Sequence, residues 1–495
     1  MGHFIMAIDQ GTTGSRVMIV NKEGKIVSSA YSEFEQIYPR PGWVEHDPEV
    51  IWETTLKVMK QAIEASSTPL EEILGIGITN QRETSVLWER DTLRPLHNAI
   101  VWQCRRSAQI CDELKDQGLE NLFKEKTGLL LDAYFSGTKV KWLLDENPHL
   151  RKRAKAGEIG FGTIDTWLVA KLTNGKVHVT DFTNASRTLM FNIHERNWDP
   201  ELLKVLEIPI EMLPDVVQSA GVVGQTDPEI LGVPIPIAGI AGDQQAALFG
   251  QGCFSAGQAK NTYGTGCFLL LNVEDKRVEP ENGLILTLAC KEDGKPCYAL
   301  EGSIFIAGAV VQWLRDGLGL IRDAAETQAI AQSVEDTQGV YMVPAFAGLG
   351  APYWDMYARG GILGITRSTT SAHIVRAALE GIAFQVKDLM GVFEDSTPME
   401  FQELRVDGGA CRNDFLMQFQ ADILGCPIDR SQYIESTGMG AAFLAGIATG
   451  LWSPGSELRD LRRSEKVFRP EISDEERQRL YEGWLDAVNR VKSNA

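Results

Sequence analysis

A chain of 495 residues with 44% apolar and 23% charged side chains is composed like a globular protein and has room for two large domains or three. A formal net charge of −19 argues against non-specific binding to nucleic acid or to an acidic membrane, though not against an anionic ligand held locally. Eight cysteines, at 104, 111, 253, 267, 290, 297, 411 and 426, form no CxxC pair, which argues against a disulfide frame or zinc site and fits reduced thiols in the cytoplasm. The longest uncharged apolar stretch, 230–242, falls short of the ~18 residues of a membrane helix and holds two prolines. The first apolar run ends at Asp9, too soon for a signal peptide, so no membrane insertion is expected.

Residues 4–8 and 17–20 are short apolar runs rich in β-branched side chains. They flank Asp9-Gln10-Gly11-Thr12-Thr13-Gly14-Ser15-Arg16, which predicts two strands joined by a tight turn. Glycines let a backbone approach an anion, hydroxyls and N–H groups donate to phosphate oxygens, and Arg16 adds charge. Asp9, ending the first strand, is a candidate Mg2+ ligand, directly or through water. The plain alternative is a hairpin whose Gly and Asp serve only the turn. The stretch is not a P-loop, which needs Lys-Ser/Thr opening a helix.

Further along, 26–34 reads as a third strand, 39–48 as a loop and 49–65 as an amphipathic helix. Residues 73–78 form a buried strand carrying Thr79-Asn80-Gln81-Arg82-Glu83-Thr84 at its C-terminal end. Residues 86–88 continue it, and 99–102 make a strand tipped by Gln103-Cys104-Arg105-Arg106. Helical segments follow to 144, then the segment 159–162 leads through 163–167 into a helix ending near 173–175. Residues 235–242 are an apolar strand, with a helix opening directly at Asp243. Glycines thicken over 250–257, placing a domain boundary between 1–250 and 251–495. The second half repeats the opening, with a Gly/Thr turn at 261–267 and a strand at 268–271. It continues with helix-rich 304–320, an apolar run at 340–344, and a strand at 404–407 that meets Gly408-Gly409. Helices are expected to dominate from Asn413 to the C-terminus, ending in a charged amphipathic one after 471.

Three glycine turns after strands (11–14, 264–266, 408–409) suit a nucleotide held by both halves, and each alone is equally a turn that needs φ > 0. Asp243, between a buried strand and a helix, is either an N-cap or a carboxylate at the strand end where α/β proteins place their chemistry. Arg82 and Glu83 are either a hydroxyl clamp or a surface ion pair of little energetic weight. Tyr134, Trp102 and Phe268 read equally as core aromatics.

Several long strings carry a resemblance. They are 9–16, 77–84, 98–106, 134–142, 239–251, 260–268, 344–355 and 405–413 with 415–420, and they span nearly the whole chain. Together they resemble the FGGY family of carbohydrate kinases, within the actin and hexokinase superfamily. Two family signatures, 134–146 and 360–380, are present. The strings Gln-Arg-Glu-Thr and Gly-Asp-Gln-Gln match the members that act on glycerol rather than the pentulose kinases.

The resemblance implies an α/β fold of two duplicated ribonuclease H-like, actin/hexokinase-type domains around a central cleft. Residues 1–250 would bind glycerol and phosphate, and 251–495 the nucleotide. It implies ATP-dependent phosphorylation of glycerol to sn-glycerol 3-phosphate in a cytoplasmic homo-oligomer, dimer or tetramer. By this likeness Arg82, Glu83, Tyr134, Asp243 and Gln244 bind the glycerol hydroxyls, with Trp102 and Phe268 against its carbons and Asp243 as general base. Thr12, Thr13, Ser15 and Arg16 would hold the β- and γ-phosphates, while Thr265, Gly308, Gln312, Gly409 and Asn413 complete the ATP site. Asp9 would orient Mg2+.

One departure concerns regulation. Some relatives carry a glycine-rich loop with an arginine that binds a sugar bisphosphate, and others a phosphorylatable histidine, where this chain has 227–234. That stretch is shorter and holds no basic residue and no histidine, so neither mode is expected. Competing readings are a kinase for another small polyol or dihydroxyacetone, and a nucleotide-switched chaperone or filament protein of the same fold.

Overall fold

The structure, a computed structural model, describes residues 3–280, 282–397, 399 and 401–493. The chain forms two compact units. The first comprises Met1–Phe254, Leu286–Ala299 and Ser436–Arg462, and the second Ser255–Ile285, Leu300–Glu435 and Arg463–Ala495. The expected division at 250/251 therefore meets a chain that leaves the first unit nearby, at 254/255, and twice returns to it.

In the first unit the hairpin is β1 (Phe4–Gln10) and β2 (Gly14–Asn21), followed by β3 (Ile26–Glu33), helix α1 (Pro48–Ser66) and β4 (Ile73–Asn80). Helix α1 starts where Asp47 accepts the Glu49 N–H at 2.9 Å and Pro48 presets the first turn. Then come α2 (Ser136–Glu146), β5 (Ala220–Gln225), β6 (Pro236–Gly242) and α3 (Asp243–Gly250). The six strands lie in the order β5-β6-β4-β1-β2-β3. The central three, β1, β4 and β6, run parallel, and the flanking pairs are antiparallel. Buried on both faces, these central strands read as continuous apolar runs rather than alternating ones.

One sheet face presents Met6, Ile8, Ile76 and Ile78 to a core shared with Ile51, Val58 and Met59 of α1. On the other face β4 and β6 carry glycines, and the helix Ser436–Ala448 lies directly on them. A Cβ on Gly77 would stand 2.1 Å from the Ala441 carbonyl oxygen. This helix is apolar all round, as a fully buried one must be, which explains its return to the first unit. It also crosses α3 at backbone contact, where a Cβ on Gly440 would meet the Ala246 oxygen at 1.8 Å.

The second unit contains β7 (Ala259–Tyr263), β8 (Cys267–Glu274), α4 (Gly308–Asp316), α5 (Ser371–Ser396) and β9 (Leu404–Asp407). It ends with α6 (Asp414–Leu424), β10 (Ile428–Ser431), β11 (Ser464–Phe468) and α7 (Asp474–Val491). Five consecutive strands run β8-β7-β9-β10-β11. The pairs β7/β9 and β9/β10 are parallel and the outer pairs antiparallel. That is the order and sense of β2-β1-β4-β6-β5 in the first unit, so the two units repeat one topology.

Helices dominate after Asn413 as expected, but two strands, β10 and β11, stand among them that the sequence reading did not place. Their sequence hides them because β10 holds Asp429 and Arg430, both buried. Ser464 donates to Asp429 at 2.6 Å, and Arg430 pairs with Asp414 at 2.8 Å and Glu465 at 2.9 Å. Charges that are buried but paired read as surface residues in one dimension. Among the described residues no helix is long and apolar enough to cross a membrane, and all eight cysteines are free thiols.

Helix α7 is fastened to α5 by a buried carboxylate. Asp388 accepts from Tyr481 Oη at 2.7 Å and Trp484 Nε1 at 2.8 Å, while Trp484 stacks on Phe384 at 5.2 Å. Burial raises Asp388 to about 6. The stability tied to its protonated form is complete below an unfolded aspartate's pKa of about 4 and is lost as pH rises through about 6. The unfolding midpoint is thus expected to fall between those pH values, and Asp388→Asn is expected to flatten that fall in a thermal melt series. A second test concerns the helix crossing. Gly440→Ala overpacks it and is expected to cost about 1–3 kcal/mol. Gly391→Ala, in α5 with no heavy atom within 4 Å of the new Cβ, is expected to stabilise by up to about 1 kcal/mol, read by denaturant midpoints.

Candidate active site

In the first unit the three parallel strands end together, and each delivers site residues at its C-terminal end. Asp9 on β1 stands in register with Thr79 on β4, and Gly242 on β6 with Asn80. After β4 the chain turns so sharply that the Thr84 N–H reaches the Arg82 carbonyl at 2.7 Å, with Glu83 at φ 62°. A left-handed conformation at a non-glycine residue costs roughly 1–3 kcal/mol and persists only when surroundings impose it. Here Ser136 at the start of α2 donates to the Glu83 carbonyl at 2.9 Å, and Ser85 does so at 3.1 Å.

Arg82 and Glu83 are 2% and 1% exposed, which rules out the surface ion pair. Each has another partner. Arg82 Nε lies 3.0 Å from Asp243 Oδ1 and its Nη1 donates to Gln245 at 3.2 Å, whereas Arg82 and Glu83 are 3.8 Å apart. Glu83 pairs with Arg187, Nε to Oε1 at 2.6 Å, and Arg187 is fully buried. Gly242 makes room for the Arg82 stem, since a Cβ there would meet its Cδ at 2.8 Å.

Asp243 is the first residue of α3, with Gly242 in the cap position. Its Oδ1 still accepts the Gln244 N–H at 2.7 Å, so a cap-like bond and a site role coexist. The Asp243 side chain is 31% exposed, unlike its buried neighbours Gln244 and Gln245.

The aromatic residues join the same group. Trp102 meets Tyr134 edge-on at 5.5 Å, and Arg187 lies over the Tyr134 ring at 5.7 Å. Trp102 Nε1 donates to Thr12 Oγ1 at 3.0 Å, linking the polyol candidates to the phosphate turn. In that turn Gly11 N–H closes on the Gly14 carbonyl at 2.9 Å, Thr13 is exposed, and Arg16 lies over Tyr31 at 5.2 Å. Ser15 differs from expectation. It is fully buried, and its Oγ accepts from Thr55 on α1, because alternation along β2 turns it inward.

Two supports were not singled out in the sequence. Lys139 on α2 is buried and donates to the carbonyls of Ala133 at 2.7 Å, Phe135 at 3.0 Å and Tyr134, bracing the Tyr134 segment. Burial pulls its ammonium down to about 8 although Glu83 draws it the other way. Behind the strand ends, Thr183 accepts the Gly242 N–H at 2.8 Å, and Asn184 and Asn80 exchange amide bonds at 3.0 and 3.1 Å. The string Asp181-Phe182-Thr183-Asn184, polar yet flanked by apolar residues, was the available signal.

In the second unit the turn at 264–266 repeats that at 11–14, with Gly264 N–H bonded to the Gly266 carbonyl at 2.9 Å. Helix α4 docks on it. The Gly308 and Ala309 N–H groups reach the Gly264 and Thr265 carbonyls at 3.0 and 3.1 Å. Thr265 and Gln312 are exposed, Gln312 one helical turn beyond Gly308. Gly408, at φ 87°, packs against the Tyr263 carbonyl, which only a glycine permits, and beside it Gly409 has open space for a Cβ. Asn413 caps α6 through Leu416 N–H at 3.0 Å and donates to Thr327 at 3.0 Å. Phe268 is half-buried on β8, in the second unit, whereas the other polyol candidates belong to the first.

Strand ends bearing glycine turns, in two units of one topology, define a duplicated α/β nucleotide-dependent enzyme architecture. The N-terminal domain of the FGGY family of carbohydrate kinases matches residues 4–250 and its C-terminal domain residues 259–449, so the chain belongs to that family. It is 57% identical to glycerol kinase 2 of Thermotoga maritima, covering 98% of each chain. It is 56% identical to the glycerol kinase of Caldanaerobacter subterraneus over 99% of each. A crystal structure of Plasmodium falciparum glycerol kinase with ADP superposes with a TM-score of 0.93 at 40% identity, covering 99% of this chain and 98% of that one.

Arg187 yields the test of this geometry. Arg187→Met takes the charged partner from a buried carboxylate, a hydrogen bond worth about 1.5–3 kcal/mol. KM for the carbohydrate substrate is expected to rise roughly 10- to 100-fold, with KM for nucleotide nearly unchanged, in steady-state kinetics.

Proposed function

We propose that the chain transfers the γ-phosphoryl group of ATP to glycerol, giving sn-glycerol 3-phosphate. The observation that carries this reading is Asp243, partly exposed, fixed by Arg82 at 3.0 Å beside the buried Glu83–Arg187 pair. A small triol offers little apolar area, so its selection depends on hydroxyls meeting donors and acceptors that a mismatched substrate would leave unmade. Glu83 and Asp243 supply acceptors, Arg82 and Gln244 donors, and the Trp102–Tyr134 pair an apolar wall. The 56–57% identity to glycerol kinases over nearly the full chain supports the same substrate.

Phosphoryl transfer asks chiefly for positioning and for charge neutralisation at the phosphate oxygens. In this reading Asp243 accepts the proton of the attacking terminal hydroxyl, while Arg82 and the Gln244 N–H hold its Oδ1 in place. Thr12, Thr13 and Arg16 orient the transferred group, and Thr265, Gly308, Gln312, Gly409 and Asn413 receive the rest of the nucleotide.

Mg2+ fits the residues present. Asp9 is a hard oxygen donor in register with Thr79, whose buried Oγ1 lacks a hydrogen-bond partner. Among the described residues no group of three or more His, Cys, Asp or Glu could cage a metal, which suits an ion held by one or two carboxylates, phosphates and water. Asp9 would hold it, and the ion would neutralise phosphate charge.

A coupled ADP-release assay over a panel of polyols tests the substrate, and preference for another acceptor overturns it. Asp243→Asn tests the base. Asparagine keeps the shape and the acceptor for Gln244 N–H, so the thermal melt is expected to be unchanged. Turnover is expected to fall at least ~10²-fold, the scale of general-base catalysis. Glycerol phosphorylation within a few-fold of wild type would remove Asp243 from that role.

A further inference from the structure

His46 lies outside every motif assigned above, yet it sits in a closed cycle of hydrogen bonds through the site. The ring is fully buried, on the short strand Glu45–His46, with Phe34 edge-on at 5.0 Å. Its Nε2 is 2.7 Å from Gln36 Oε1, and Gln36 Nε2 donates to the Thr12 carbonyl at 3.0 Å. On the other side its Nδ1 is 3.4 Å from Gln81 Nε2, which also reaches Gln10 Oε1 at 3.1 Å and the Gly11 carbonyl at 3.2 Å. Gln81 Oε1 accepts from Thr84 at 2.9 Å, Thr84 accepts the Trp102 N–H at 3.2 Å, and Trp102 Nε1 returns to Thr12 Oγ1 at 3.0 Å.

Donors and acceptors run one way along the path from Trp102 through Thr84, Gln81, His46 and Gln36 to Thr12, while Trp102 donates at both of its ends and Thr12 accepts at both of its own. Gln36 gives its amide hydrogen to Thr12, so its oxygen faces His46 and calls for a proton on Nε2. Gln81 gives its oxygen to Thr84, so its amide nitrogen faces His46 and calls for a lone pair on Nδ1. Only the neutral Nε2–H tautomer satisfies both. Burial, which lowers His46 to about 4, keeps the ring neutral at ordinary pH.

Resting on the kinase reading, we propose that His46 is a positioning residue for phosphoryl transfer, fixing Thr12 of the phosphate turn against the Gln81–Glu83 segment and Trp102. The two ends of the cycle are not equally dependent on it. The Arg82–Glu83 turn is also held by Ser136, Arg187 and, through Asn80, by Asn184. Thr12 relies on Gln36 and Trp102. Breaking the cycle at His46 therefore releases the donor side and leaves the acceptor side in place. Misplacement of reacting groups by about 1 Å can cost on the order of 10²-fold in rate.

The test uses His46→Leu, close in volume, Gln36→Leu and the double variant, on whichever polyol the wild type turns over best. A different preferred acceptor then overturns only the glycerol assignment. Expected are a kcat reduced about 10- to 100-fold, a raised KM for ATP, and an unchanged KM for the polyol. The double variant is expected to be no worse than the single ones, because both cut one cycle. His46→Gln, which retains an amide donor toward Gln36, is expected to recover part of the loss. Ring-nitrogen NMR of the wild type is expected to show His46 as the Nε2–H tautomer. The proposal is overturned by wild-type kcat and ATP KM in the variants, by losses that multiply in the double variant, or by an Nδ1–H ring. Should His46→Leu fail to fold, Gln36→Leu, at a half-buried side chain, decides alone.

Discussion

A guanidinium has five N–H donors in a fixed fork, and burying one obliges the protein to bring acceptors to it. Arg82 imposes that obligation on the first unit. Asp243 and Gln245 answer it from α3, which ties the end of β4 to the start of the helix after β6. Glycine at 242 is required for the same reason, since a larger residue would displace the arginine stem. The carboxylate that remains partly exposed is thus oriented by its partner before any substrate arrives, and preorganisation of this kind lowers the cost of reaching the reactive geometry.

Topological repetition does not carry chemical repetition with it. Both units end parallel strands in glycine turns, and each Gly/Thr turn closes on a glycine carbonyl at 2.9 Å, across three residues in the first and two in the second. The surroundings of the two turns differ. In the first unit β1 carries Asp9 one residue before its end at Gln10, and the turn is backed by the polar side chains of Trp102, Gln36 and Gln81. In the second the turn receives the N-terminus of α4, and β9 passes into Gly408, pressed on the Tyr263 backbone, and Gly409, which has open space beside it. Such a surface offers N–H groups and space rather than ionisable side chains.

Legibility in the sequence depended on how local each signal was. The hairpin of β1 and β2, helix α1, β4, β6 with Asp243 at its end, and α7 were readable because apolar runs and caps lie within a few residues. The family resemblance carried the site residues further than spacing could. Strand β10 escaped because it buries paired charges, Asp429 and Arg430, and β11 because it is exposed except at Phe468, and no apolar pattern marks either. Arg187 and Lys139 escaped for a related reason. A lone cation in one dimension reads as surface, and only the fold brings Glu83 to one and three carbonyls to the other. Ser15 shows the reverse error, since its hydroxyl belongs to the turn in sequence but to α1 packing in space.

Charge accounting narrows how this site can attract an anion. The formal charge of the chain is −19, so its long-range field repels nucleotide rather than steering it. The buried cations near the strand ends are already matched, Arg82 by Asp243, Arg187 by Glu83, and Lys139 by backbone carbonyls. These cations are thus committed to protein groups. Attraction for an anion must then come from short-range groups, such as the N–H donors and hydroxyls of a glycine turn. With the net field opposing the approach of any anion, only local donors can fix where one sits.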